Sequence, residues 1–462
     1  MSLHGLGTNS SPRCHDLTGD GILDIVIGAG RNEFNASDSA VVAINGANGE
    51  VLWTAPGTDQ MVGSAVFADL NQDGNKDVII GGRSAQLKAI SGSDGAVLWD
   101  YNIIQDRDSE RALMRFNFYS PQVLEDYDND GVPDLLVSNG GNVRAFRQSG
   151  EDRYPGVIAV LSGRDGSIIS SILVPDGRET YMSPLLHRSD EDDDVYVLFG
   201  TGGETFGGSL YRINMKDLLA ERSEASEAIM TREGHGFVAP PTLTDINADG
   251  VGDIISNWHG GETIAFDGAS YEVIWDYKVA SAELNCSAAP GDVTGDGVPD
   301  FFSSYSLGKW PKNTAAVQTI LDGTTGDVLF QDTIGCAGFA TALSYDMNQD
   351  GYKEFIFTSN EFNCDAQHLG QVKFRMLSYD YHNSVLTELI PSSKAKNISS
   401  TPWIGDLDDN GRLDIVACVQ ANVSDLYTFY GILMSCMAFD IPYDEDYAGW
   451  TEYMGKNWDG VY

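Results

Sequence analysis

The chain has 462 residues with 68 acidic and 28 basic side chains, a formal charge of −40. That balance excludes a nucleic-acid phosphate backbone and an anionic membrane surface as partners, since both need a basic face. An apolar content of 42% with 10% aromatics excludes disorder, and no apolar run of roughly 18 residues or more predicts a transmembrane helix.

From the N-terminus, Met1-Ser2-Leu3-His4-Gly5 carries neither a basic region nor an apolar core, so no signal peptide is expected there. The first informative element is Asp16-Leu-Thr-Gly-Asp-Gly-Ile-Leu-Asp24, which runs directly into Ile25-Val-Ile27. Its oxygen-bearing positions are Asp16, Thr18, Asp20 and Asp24. A strand ending in an aromatic, Val51-Leu-Trp53, follows. The pattern then returns at Asp69, Asn71, Asp73 and Asp77, followed by Val78-Ile-Ile-Gly-Gly82, an alternating strand from Leu87, and Val97-Leu-Trp99. A third copy holds Asp126, Asp128, Asp130 and Asp134. Where a fourth is due, the chain reads Pro184-Leu-Leu-His-Arg-Ser-Asp-Glu-Asp-Asp-Asp194 before Val195-Tyr-Val-Leu-Phe-Gly200. The apolar run survives there and the loop has degenerated. Further copies hold Asp245, Asn247, Asp249 and Asp253; Asp292, Thr294, Asp296 and Asp300; Asp346, Asn348, Asp350 and Glu354; and Asp406, Asp408, Asn410 and Asp414. Val273-Ile-Trp275 and Val328-Leu-Phe330 repeat the aromatic strand ending.

The seven intact loops place oxygens at positions 1, 3, 5 and 9, with a glycine at position 6 for the sharp turn. Hard oxygen ligands folded onto one point suit a hard cation of high coordination number, and the expected ion is Ca²⁺, up to seven per chain. An EF-hand is disfavoured because strands, not helices, flank the loop. A hairpin turn that binds nothing explains one copy readily, but not seven with the same side-chain pattern. Roughly a third of the acidic residues fall in these positions. Four short strands per repeat, joined by Gly/Asp/Asn turns, are the grammar of a propeller blade. The expected fold is all-β: an eight-bladed propeller of four-stranded antiparallel blades, seven blades being the alternative. One domain is expected over 1–462, with the repeat at about 174–230 lacking the metal loop and a closing segment at 441–462.

These repeats resemble the FG-GAP (VCBS-type) calcium-loop repeats of the integrin α-subunit propeller. The turn Ala89-Ile-Ser-Gly-Ser-Asp-Gly-Ala-Val-Leu-Trp99 and the C-terminal stretch Trp450 to Tyr462 are similar to those of quinoprotein-like propellers. The resemblance implies structural calcium in a secreted, periplasmic or cell-surface protein. It implies a protein- or glycan-binding adhesion module, with a purely structural propeller or an enzyme as alternatives. The enzyme would be a polysaccharide lyase, as in a calcium-rich rhamnogalacturonan lyase family, or a quinoprotein-like oxidoreductase. The chain lacks the adjacent Cys-Cys pair of the quinoprotein dehydrogenases.

The metal loops occupy one end of each blade, which leaves the variable loops at the other for a ligand. There Arg83, then Arg107, Arg111 and Arg115, then Arg144, Arg147 and Arg153 cluster in neighbouring loops. They suit planar anions, or else pair with nearby acids. Trp258, His259 and Trp310 form a second group that stacks on a sugar ring or, alternatively, covers the core. No catalytic residue is assigned. Of six cysteines, Cys336 and Cys364 both fall in variable loops and are candidates for a disulfide. Cys418 and Cys436 lie on consecutive strands as a bridge or as thiols, and Cys14 and Cys286 show no metal spacing.

Overall fold

The computed structural model describes residues 1–3, 5–31, 35–101, 117–141, 153–189, 194–310, 312–361, 372–421 and 432–462. It is the expected all-β propeller of eight four-stranded antiparallel blades. In chain order the second strands of the blades are Asp24–Gly28, Asp77–Gly81, Leu135–Gly140, Asp194–Gly200, Asp253–Trp258, Asp300–Lys309, Glu354–Glu361 and Arg412–Gln420. Each follows a metal loop or its degenerate counterpart. These are the continuous apolar runs of the sequence, and they are buried along most of their length, as a strand covered on both faces must be. The fourth strands instead alternate, as in Val51–Gly57, because one face meets solvent.

The chain forms two compact units. One is Thr8–Pro240, with blades 1 to 4; the other is Met1–Gly7 with Pro241–Tyr462, with blades 5 to 8. In the second unit the N-terminal pair Ser2–Leu3 hydrogen-bonds to Ile432–Pro442 and so supplies the outermost strand of blade 8. The C-terminal stretch runs across inner strands of the same unit. Ser344 N–H donates to the Trp450 carbonyl, Ile404 N–H to Thr451, and Leu243 N–H to Gly460. Trp450 is fully buried by this path.

Blades within a unit are tied at two radii. Near the inner strands a hydroxyl ladder passes from blade to blade. In the first unit Ser11 N–H donates to Ser64 Oγ, Ser64 N–H to Ser120 Oγ, and Ser120 N–H to Ser183 Oγ, at 2.9–3.1 Å. In the second, Ser287 N–H donates to Thr341 Oγ1 and Thr341 N–H to Thr401 Oγ1. At the outer edge the strand-ending tryptophans reach the next blade. Trp53, Trp99 and Trp275 donate their indole N–H to the carbonyls of Gly92, Gly163 and Gly323. Each ring also packs against a turn glycine (Gly95, Gly166, Gly326) at which a Cβ would fall within 3 Å of it.

Candidate metal centres and the opposite rim

In each loop the first aspartate is held by the turn it organises. One carboxylate oxygen of Asp16, Asp69, Asp126, Asp245, Asp292, Asp346 or Asp406 accepts from the backbone N–H at position 4 or 5. The other accepts from the position-6 glycine N–H. Those glycines have positive φ, +87° at Gly21 and +94° at Gly351, which L side chains rarely adopt. Asp16, despite some desolvation, is held below its ordinary pKa by the Gly21 and Gly19 N–H groups.

The ninth residue opens the second strand and is buried in all seven loops. Its carboxylate accepts the position-2 N–H, as Asp24 from Leu17, Asp77 from Leu70, Asp253 from Ile246, Asp300 from Val293, Glu354 from Met347 and Asp414 from Leu407. In three blades it also accepts the N–H of a glycine in the hairpin between the third and fourth strands: Gly46, Gly268 and Gly323. That glycine cannot be replaced without a backbone shift, since a Cβ at Gly323 would lie 2.0 Å from the Pro299 carbonyl oxygen. The ninth acid is therefore a clamp joining three segments of one blade. Burial pushes these carboxyls up, Asp300 to about 7 and Glu354 to about 8, against the backbone donors that stabilise the anion.

The donor set fits a hard divalent cation. Carboxylate oxygens of Asp126, Asp128 and Asp130 lie within 4.8 Å of one another, as do those of Asp346, Asp350 and Glu354, and those of Asp406, Asp408 and Asp414. One ligand-position oxygen, Thr294 Oγ1, is buried with no hydrogen-bond partner among the described residues. Such atoms are costly unless something electropositive meets them.

Two blades depart from the rule in instructive ways. In blade 3, which carries four acids rather than three, the Arg164 guanidinium leans on the loop and donates to Asp130 Oδ2 at 2.7 Å. In blade 4 a short helix, Met215–Leu219, stands between the third and fourth strands. Its Lys216 ammonium pairs with Asp194 Oδ1 at the start of the second strand, two residues before Tyr196, which pairs with His187 and holds the place of the ninth acid. The Lys216 hydrogen bond draws Asp194 below its usual pKa.

At the opposite end of the blades, Arg83 is half-buried. Arg153 pairs with the buried Glu179 and lies 4.6 Å over the Phe206 ring. Arg107, Arg111, Arg115, Arg144 and Arg147 lie outside the described residues. Trp258, 7% exposed, carries the Lys278 ammonium over its ring, and His259 is fully buried, with Nδ1 3.0 Å from the Leu284 carbonyl oxygen. Both therefore line the blade interior. Trp310 is half-buried, edge-on to Phe339, and its backbone N–H donates to Glu283 Oε2. Sequence reasoning missed the residues that organise this end. Four places before the ladder hydroxyl stands a buried polar side chain: Gln60, Glu179, Glu283 and Asn397. Gln60 and Glu179 bond into the preceding blade, while Glu283 accepts from Trp310 N–H and the Asn397 amide donates to the Ser400 and Cys418 carbonyls, each within its own blade. The spacing from a Ser/Thr at the inner-strand entrance was the available signal. Cys336 is disulfide-bonded; its expected partner Cys364 lies outside the described residues. Cys14, Cys286, Cys418 and Cys436 are not disulfide-bonded.

Among the described residues no helix is long and apolar enough to cross a membrane. A family profile described as the FAM234A/B beta-propeller matches residues 29–334. Protein FAM234B of Mus musculus is 22% identical over 389 residues, 77% of this chain and 57% of that protein. Protein FAM234B of Gallus gallus is 23% identical over 343 residues, 67% of this chain and 50% of that one. The chain thus spans about half the length of these curated relatives. Among solved structures, the quinohemoprotein alcohol dehydrogenase ADHIIG from Pseudomonas putida HK5 superposes with a TM-score of 0.57 at 10% identity, covering 94% of this chain and 75% of that one. That likeness is one of fold alone.

Proposed function

The chain belongs to the FAM234A/B beta-propeller family, and on that premise we propose that it is a calcium-braced binding module of the cell exterior. Seven Ca²⁺ ions rigidify one end of the blades, and the loops at the other end carry the ligand. The observation that supports this reading most is the repeated loop geometry, with a buried ligand-position oxygen at Thr294 that has no hydrogen-bond partner among the described residues. Positions 1, 3, 5 and 9 would hold each ion, and the ion would supply charge neutralisation, not catalysis. Without it, three or four carboxylates repel one another at the tip of each hairpin. A cation that binds only the folded form adds about 2.7 kcal/mol when free ion exceeds Kd a hundredfold, and seven such sites act together. Weak sites of this type fill at the millimolar calcium found outside cells.

Thermal unfolding of the intact chain with millimolar calcium and with excess EDTA tests the reading. Chelation is expected to lower the melting temperature by more than about 10 °C. An identical melt in both conditions would reject the structural role of calcium.

A further inference from the structure

The first unit carries, at the end of blades 3 and 4 away from the metal loops, a constellation that the calcium sites do not use. We propose that this corner binds an uncharged pyranose of a glycan, with Tyr119 and Tyr181 as the stacking platform and Asn117 and Glu179 as hydroxyl partners. The inference deepens the ligand-binding half of the proposed function and rests on it.

Tyr119 and Tyr181 come from adjacent blades, each just before a ladder serine. Both are half-buried, and their rings stand 6.0 Å apart at 58°. Two tilted aromatic faces form a corner suited to the apolar C–H face of a sugar ring. The corner is built before any ligand arrives. The Tyr181 hydroxyl donates to Glu179 Oε2 at 3.0 Å, and Arg153 holds the other oxygen of the same carboxylate. Backbone closes around that acid, since a Cβ at Gly203 would come within 2.7 Å of Glu179 Oε1 and one at Gly141 within 2.8 Å of its Cβ. Preorganisation of this kind lowers the entropic cost of binding. Burial keeps both phenols neutral, and hence donors.

A buried acceptor beside the corner is left over. Asn117 is 2% exposed and its amide nitrogen lies 3.5 Å from the Tyr119 hydroxyl, while its Oδ1 has no hydrogen-bond partner among the described residues. A ligand hydroxyl satisfies it. Charge selects the ligand class. Arg83, Glu179 and Glu204 all act electrostatically on Tyr119, and Arg153 is bound to Glu179, so among the described residues two guanidinium groups face two carboxylates. A balanced site inside a chain of charge −40 favours a neutral sugar over a uronate or a sulfated one.

The test uses the calcium-loaded intact chain on an array of neutral glucose-, galactose-, mannose- and fucose-terminated oligosaccharides beside uronate-bearing and sulfated ones. Binding is expected on neutral glycans. Tyr119→Ala and Asn117→Leu should each weaken it at least ~tenfold, and Tyr181→Phe, which keeps the ring but releases Glu179 Oε2, should weaken it less. Asn117→Leu keeps the packing volume, so its loss reports the acceptor and not the fold. The EDTA-dependent melting shift of each variant is measured alongside and should match the parent, which separates failure at this corner from failure of the calcium sites. No binding to any neutral glycan, a preference for uronates or sulfates, or unchanged affinity in Tyr119→Ala and Asn117→Leu would overturn the assignment.

Discussion

Blade 4 and the other seven blades solve one electrostatic problem in two ways. In seven blades a buried acid stands at the head of the second strand; in blade 4 Tyr196 holds that place and the acid lies two residues earlier, half-buried. In blade 4 that acid, Asp194, meets the Lys216 ammonium delivered by the five-residue helix Met215–Leu219, and it sits below its normal pKa. In the other blades the acid is buried against backbone N–H groups, joined by the Asn71 amide at Asp77 and the Asn247 amide at Asp253, and is pushed up, as far as about 8 at Glu354. Blade 4 sets a basic side chain beside its acid, whereas the other loops hold theirs on backbone donors. Blade 3 is intermediate: Arg164 offsets the extra carboxylate of a four-acid loop. The lesson is that a blade without the acidic loop can still neutralise an acid at its strand entrance with a basic side chain.

The sharpest way to break this contrast is to remove a buried clamp. Asp300→Ala strips three backbone donors, on Val293, Thr294 and Gly323, of their acceptor. It should cost about 3 kcal/mol or more in urea unfolding even with calcium present. A loss below about 1 kcal/mol would mean that this carboxylate does not join the three segments.

A second effect is a pH slope of opposite sign in the two kinds of blade. Asp300 binds its proton up to about pH 7 when folded but releases it near its ordinary 3.8 when unfolded. The folded, metal-free state therefore holds more protons in between, and stability falls as pH rises through that window. Glu354 extends the window to about pH 8. Asp194, with its pKa lowered, contributes stability above its ordinary value that is lost only in acid. Calorimetric melts in EDTA should fall from pH 5 to pH 8, whereas melts in saturating calcium stay flat over the same range. A metal-free melt that rises with pH would contradict the account.

The smallest expected effect is that of Lys216→Met. Lys216 is largely exposed, so the melting temperature should move by under about 2 °C, equally with calcium and with EDTA. A larger, calcium-dependent shift would show that blade 4 is coupled to the metal loops.

How far the sequence carried these distinctions depended on whether the physics was local. Seven loops were legible because position 6 demands glycine and positions 1 and 9 demand acids within one turn. The missing loop of blade 4 was legible for the same reason, but its substitute was not. The helix is too short for a 3.6-residue period to register, and Lys216 lies 22 residues from Asp194. The aromatic strand endings Trp53, Trp99 and Trp275 stood out, yet their indole bonds to Gly92, Gly163 and Gly323 are contacts between repeats. Trp258 and His259 read equally well as ligand residues or as core, and only packing separates the two. Arg153 reads as meeting an anion or pairing with a nearby acid; its partner is Glu179, 26 residues on.

The measurement that bears most directly on the central claim is calcium stoichiometry. Equilibrium dialysis of the intact chain against millimolar radiolabelled calcium, after exhaustive removal of metal, should show close to seven ions per chain. The count should fall by one in Asp292→Ala and remain unchanged in Lys216→Met. Uptake no greater than that of a similarly acidic protein without the loops would contradict the account.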